Sequence, residues 1–136
     1  MPSQKDTPPT LKIEVSPGEL LDKITILEIK SERVADVEKL ANIRHEQKLY
    51  RDTFEGRLRI TDELSALLQE LKTVNEALWD IEDEIRACEA RQDFGSRFIE
   101  LARSVYRTND RRAAIKRRIN ILCGASIIEE KSYTQY

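Results

Sequence analysis

With 136 residues the chain is long enough for one domain with its own core and too short for two. Charged residues make up 35% and aromatics 6%, and the formal charge of -2 excludes a global electrostatic pull toward nucleic acid or an anionic membrane. No apolar run approaches the ~18 residues that span a bilayer, and Met1 to Thr10 lacks the basic start and apolar middle of a signal peptide, so no membrane span and a cytoplasmic location are expected.

Residues 1–10 are polar, carry Pro2, Pro8 and Pro9, and are expected to form a disordered tail. Leu11 to Val15 alternates apolar and polar residues, as a short extended segment does. Ser16-Pro17-Gly18-Glu19 is a helix start: Ser16 can accept from the N3 amide, Pro17 suits N1, and Glu19 can bond back to the cap. The first helix is predicted from about Pro17 to about Val34. Its apolar line is Leu20, Leu21, Ile24, Leu27 and Val34, and Ile26 and Ile29 widen the apolar surface toward a second neighbour. Asp36 can cap a second helix through Ile43, Tyr50 and Phe54, although one continuous helix through residue 36 stays open; Gly56 breaks the pattern.

Thr61 or Asp62 then caps a long helix to about Arg91, with apolar residues at Leu64, Leu67, Leu71, Val74, Leu78, Ile81, Ile85 and Cys88. These alternating spacings of three and four mark a packing seam around which the other helices are expected to assemble. Asp93-Phe94-Gly95-Ser96 reads as a turn, with Gly95 free to take a positive φ and Ser96 able to cap the last helix. That helix carries Phe98, Leu101, Ala102, Val105, Ile115, Ile119 and Leu122 on its expected packing side and ends at Gly124, a natural C′ residue. Ala125 to Ile128 is expected to fold back, alongside Leu11 to Val15, and residues 129–136 to be mobile.

The predicted fold is therefore all-α: an antiparallel hairpin of two long helices within a helical bundle, with short extended segments at the N- and C-terminal ends. The domain is placed at 11–128. A turn near Phe94 sets residues equally far from it opposite one another. Cys88 and Cys123 fall several turns out of step in that register and are read as small packed hydrophobes, not a disulfide. Leu68 and Trp79 lie beside the main seam and are expected to bury against a second copy in a homodimer.

The last helix's apolar line is interrupted at Thr108 and Arg112, with Asn109 beside it. Hairpin opposition brings Asn75, Glu76, Trp79 and Asp80 near Arg112, so a polar layer is expected inside the bundle. The favoured reading is a structural ion pair of Arg112 with Glu76 or Asp80, fixing register at some cost in stability. The alternative is an anion pocket in which Arg112, Lys116 and Asn109 hold a phosphate or carboxylate and Glu76 or Asp80 positions a proton or metal; arginine's planar fork suits such groups.

The last helix is also basic, from Arg103 to Arg118, and Glu76, Asp80, Glu82, Asp83 and Glu84 of the long helix are expected to neutralise it. Nucleic acid is disfavoured as a partner because neither aromatic interleaving nor a binding motif accompanies the charge. The pairs Glu28/Glu32 and Glu76/Asp80 do not form the spaced ExxE and ExxD elements of an all-helical nucleotide pyrophosphohydrolase, and read as solvated faces. His45 stands alone, so no metal site and no cofactor are expected.

The blocks Ser16 to Lys30, Lys39 to Ile43, Asp93-Phe94-Gly95, Tyr106 to Asp110 and Glu129 to Tyr133 resemble a bacterial domain-of-unknown-function family of short helical proteins, some of them encoded near glycosyltransferase or surface-polysaccharide genes. The resemblance implies a one-domain bacterial protein and no established activity, cofactor or catalytic residue. Its polar stretches add Asp22 and Lys23 to the candidate site beside Asn109, Arg112 and Lys116. The Leu-Leu-Asp-Lys-Ile rhythm of the first helix is also similar to helical chorismate mutases, whose site holds a dicarboxylate; it covers one helix and lacks that family's early arginine. The leading expectation is a non-enzymatic helical interaction or accessory protein, and the alternative a bundle that binds or transforms an anionic metabolite such as a phosphosugar, nucleotide or dicarboxylate.

Overall fold

The computed structural model describes residues 9–136, so the first eight residues of the expected tail lie outside the described residues. Four helices follow in order: α1 (Pro17–Arg33), α2 (Val37–Glu55), α3 (Asp62–Ala90) and α4 (Ser96–Leu122). Their starts are set by side-chain oxygens that accept otherwise unpaired amides. Ser16 accepts from the Glu19 amide, Asp36 from Lys39 and Thr61 from Leu64, so α1 and α2 are separate helices and Thr61, not Asp62, caps α3. The reciprocal half of the α1 capping box is absent, because the Glu19 carboxylate turns to Lys116 instead.

The hairpin of α3 and α4 forms in the expected register: Glu70 and Arg118, each 24 residues from Phe94, meet at 3.2 Å. Cys88 and Cys123 are both free. Both hairpin helices end in the same way. At α4, Gly124 has φ +66° and the Ala125 amide donates to the Asn120 carbonyl at 2.9 Å, a Schellman end. At α3, Gln92 takes the left-handed conformation at φ 56°, and the Asp93 amide donates to the Cys88 carbonyl at 2.9 Å. The positive φ expected at Gly95 is therefore at Gln92. Gly95, at φ -78°, is the cap residue of α4, and Ser96 lies inside the helix. A left-handed residue with a Cβ stores roughly 1 kcal/mol, partly offset by the chain entropy that glycine loses on folding. Gln92→Gly is expected to raise unfolding free energy by about 0.5 kcal/mol in urea titrations.

Although α3 is the longest helix, α1 is the hub. It touches α2, α3 and α4, whereas α2 packs on α1. Leu20, Leu21 and Ile24 of α1 meet Phe54 of α2, Leu64, Leu67, Leu71 and Val74 of α3, and Ile115 and Ile119 of α4 in one core. Burying each such side chain contributes ~1.5–3 kcal/mol. The α3 seam is closed where α1 covers it and again at its far end: Leu64, Leu67, Leu71, Val74 and Cys88 are buried, but Leu78, Ile81 and Ile85 between them are half-buried. The cover ends because α1 has 17 residues against 29 in α3, and its last residue, Arg33, reaches Asp80 at 2.5 Å. Beyond that level α3 and α4 pack mainly on each other, closing over Cys88 and Leu101.

Leu68 packs against the core and Trp79 lies under the Arg33 guanidinium, 5.8 Å from its ring centre. The segment after α4 returns past the start of α1, where Ala125, Ser126 and Ile127 share a cavity with Ile13, Glu14 and Val15. Residues 129–136, expected to be mobile, then run along α4, with Glu130 on Arg117 and both Lys131 and Tyr136 on Asp110. No helix among the described residues is long and apolar enough to cross a membrane.

Candidate functional site

The start of α1 is pressed onto the end of α4 at Gly18. Its amide donates to Asn120 Oδ1 at 2.7 Å, and a Cβ at this position would lie 2.6 Å from the Lys116 carbonyl oxygen. Only glycine fits so close an approach. Gly18, Asp22, Thr25 and Ile29 follow at helical spacings of four, three and four, so the contact that admits Gly18 also carries Asp22 into the interior, where it is 1% exposed.

Asp22 is the centre of the polar layer. Its Oδ1 accepts from Asn75 Nδ2 and Arg112 Nε, each at 2.9 Å, and its Oδ2 accepts from a terminal nitrogen of Arg112. Thr25 accepts from Asn75 Nδ2 at 3.0 Å and donates to the Asp22 carbonyl at 2.8 Å. One carboxylate thus ties α1 to both arms of the hairpin. Lys116 Nζ lies 2.7 Å from Glu19, 3.9 Å from Asp22 and 3.8 Å from Glu129, and Lys23 meets Glu19 from outside at 3.5 Å. Three cations, Lys23, Arg112 and Lys116, balance three carboxylates, Glu19, Asp22 and Glu129. Among the described residues no buried side-chain polar atom lacks a partner.

These contacts shift the titration of the groups that make them. The hydrogen bond to Asp22 raises Arg112 above the ordinary arginine value, against the opposing effect of burial. The hydrogen bond from Lys116 holds Glu19 below its ordinary value of 4.5, again against burial. Because Glu19 binds its proton less readily folded than unfolded, its contribution to stability is present above that ordinary value and is lost as the pH falls through the lowered one. Glu19→Gln is therefore expected to flatten the acid limb of a plot of melting temperature against pH, and to do so below about pH 5.

The layer corrects the expected partner of Arg112. Glu76 and Asp80 do not reach it; they face Arg33, at 4.0 and 2.5 Å. The hairpin alone would set them opposite Arg112, but α1 packs on both arms and inserts Asp22 nearer, while its last residue takes the α3 acids. The expected neutralisation of α4 by α3 is likewise confined to few pairs. Arg97 meets Glu84 and Arg118 meets Glu70, whereas Arg112 and Lys116 turn to α1 and Arg117 to Glu130. His45 is exposed, and no group of three or more metal-ligating side chains occurs among the described residues.

Arg112 separates two clefts. On one side a groove of about 340 Å³ is lined by Ile26, Ile29, Leu78 and Trp79, with Glu82, Asp83 and Arg86 at its edge. On the other, a cleft of about 420 Å³ brings Asn109, Arg112 and Lys116 together with Tyr106, Lys131 and Tyr133. The sequence-based set therefore divides into Asp22, Arg112 and Lys116 in the layer, Asn109 in the cleft, Lys23 at the rim, and Glu76 and Asp80 elsewhere. Glu19, Thr25, Asn120 and Glu129 complete the arrangement. For Thr25 the available signal is its place on the line from Gly18 to Ile29; Glu129 comes from beyond the helices, and no local pattern announces it.

A family of unknown function, DUF6165, has a sequence model that matches residues 11–136. The chain belongs to that family. The DUF6165 match takes in all four helices, the Asp22 layer and the C-terminal segment that supplies Glu129. No curated protein and no solved structure matches the chain.

Proposed function

We propose that the chain is a non-enzymatic helical interaction module, an accessory protein that works through its surface. The observation that carries this reading is the saturation of Asp22: both carboxylate oxygens are engaged by Arg112 and Asn75, and Lys116 is held by acids of the same chain. Such a layer is suited to fixing the relative position of three helices, as a polar residue fixes register in a coiled coil. We place it in the cytoplasm, and the resemblance to a bacterial family with members near surface-polysaccharide genes supports a bacterial setting beside surface-glycan synthesis. Affinity purification of the full chain from its native cell, followed by mass spectrometry, tests the reading. A specifically enriched protein supports it, and recovery of the chain without any enriched protein contradicts it.

The cleft of Asn109, Arg112, Lys116 and Lys131 favours a second reading, an anion-binding bundle. Its test is thermal stabilisation by phosphosugars, nucleotides or dicarboxylates, with and without Mg²⁺. A saturable rise in melting temperature that Asn109→Ala and Lys131→Ala abolish would establish it, and a flat response across the panel would remove it.

A further inference from the structure

Besides its buried face, α4 carries a second line: Ile99, Ala102, Tyr106, Asn109 and Ala113, at spacings of three, four, three and four. A helix with two such lines is built for two sets of neighbours. The chain supplies only part of the second set. Tyr136 stacks edge-on against Tyr106 at 5.1 Å between centres, and Lys131 and Tyr133 line the cleft over Asn109 and Ala113. Beyond Tyr106 the line continues uncovered, with Ile99 56% exposed and Ala102, expected on the packing side, exposed because the buried face runs through its neighbour Leu101. The covering segment is weakly held: Tyr133 and Tyr136 are each 75% exposed, and its links to Asp110 and Arg117 are surface contacts of the kind worth little.

Two of the charges beside this line fit a copy of itself. Arg103 and Asp110 flank it seven residues apart. When a second α4 lies antiparallel across a two-fold axis at Tyr106, each Arg103 falls beside the other copy's Asp110, giving two opposite-charge pairs. Ile99 then meets Ala113, and small residues at 102 and 113 let the backbones approach closely. We propose that a second copy of the chain docks antiparallel along Ile99, Ala102, Tyr106, Asn109 and Ala113 of α4, in competition with the chain's own residues 131–136. This deepens the reading of the chain as an interaction module by naming one surface and its occupant. One helix pair buries less than the ~1,200 Å² of a standard interface, so the dimer forms in the micromolar range or above.

Sedimentation velocity of the full chain, from low micromolar to a few hundred micromolar, tests the proposal. A concentration-dependent rise from monomer to dimer is expected. Arg103→Asp weakens association about tenfold or more, the double variant Arg103→Asp/Asp110→Arg restores it, and Tyr136→Ala strengthens it by freeing the line. In a Cys123→Ser background, Tyr106→Cys cross-links copy to copy under mild oxidation, whereas Val37→Cys, on exposed α2, does not. A chain that remains monomeric throughout overturns the proposal, as does a dimer in which Tyr106→Cys fails to cross-link, the charge exchange fails to rescue, or Tyr136→Ala weakens association. A monomer that still retains an enriched cellular protein would overturn this inference and leave the interaction function standing.

Discussion

Arg112→Leu is expected to lower the unfolding free energy by about 3 kcal/mol, roughly 10 °C in melting temperature. The size of the loss comes from what remains behind. Asp22 is 1% exposed and would keep only Asn75 and a lysine 3.9 Å away, so a carboxylate would stay buried without its bidentate partner. The leucine gains apolar contact, but burial of one such side chain contributes ~1.5–3 kcal/mol at most, and Arg112 is already packed through its own stem. Loss of the pair outweighs that gain. Asp80→Asn is the contrasting case: it removes a contact to Arg33 from an exposed carboxylate, and a change below ~1 kcal/mol is expected. Urea titrations of the two variants should therefore separate widely.

Gly18→Ala is the second large effect. In a helix, alanine is ordinarily better than glycine by roughly 0.5–1 kcal/mol, so propensity alone predicts stabilisation. Packing reverses the sign. The new Cβ would lie 2.6 Å from the Lys116 carbonyl oxygen and 2.8 Å from Asn120 Oδ1, and the nearer atom is backbone that cannot swing aside. α1 must retreat from α4, which stretches the amide bond to Asn120 and draws Asp22 away from Arg112. A net loss of about 2–3 kcal/mol is expected, with a lower melting temperature as the readout. Asn120→Ala in the same background should recover little of it, because the carbonyl clash persists.

Local chemistry made much of this fold legible. Ser16, Asp36 and Thr61 announce helix starts through side chains that reach amides three residues on, and Gly124 announces an end because only glycine is at ease at positive φ. The α3 and α4 lines with one short turn dictate an antiparallel hairpin and its register. Two features were hidden for physical reasons. Gln92 adopts the left-handed end of α3 although its side chain opposes it, and Gly95, three residues on, is the more natural candidate. The partner of Arg112 depends on which third helix enters the groove, and an amphipathic line states which face is inside without stating what lies opposite. The length of α1 beside α3 is the signal that α3 would be only half covered, and the Gly18, Asp22, Thr25, Ile29 line is the signal that α1 would bring a carboxylate with it.

The measurement that bears most directly on the role of the polar layer is a double-mutant cycle across Asp22 and Arg112. Urea unfolding of the full chain is compared for wild type, Asp22→Asn, Arg112→Leu and the double variant. A structural pin predicts that both single variants lose stability and that the double variant loses at least about 1 kcal/mol less than their sum, since the second change removes a group the first left unpaired. Additive losses, or an Arg112→Leu variant as stable as wild type, would contradict it and turn attention to a ligand at the Arg112 cleft.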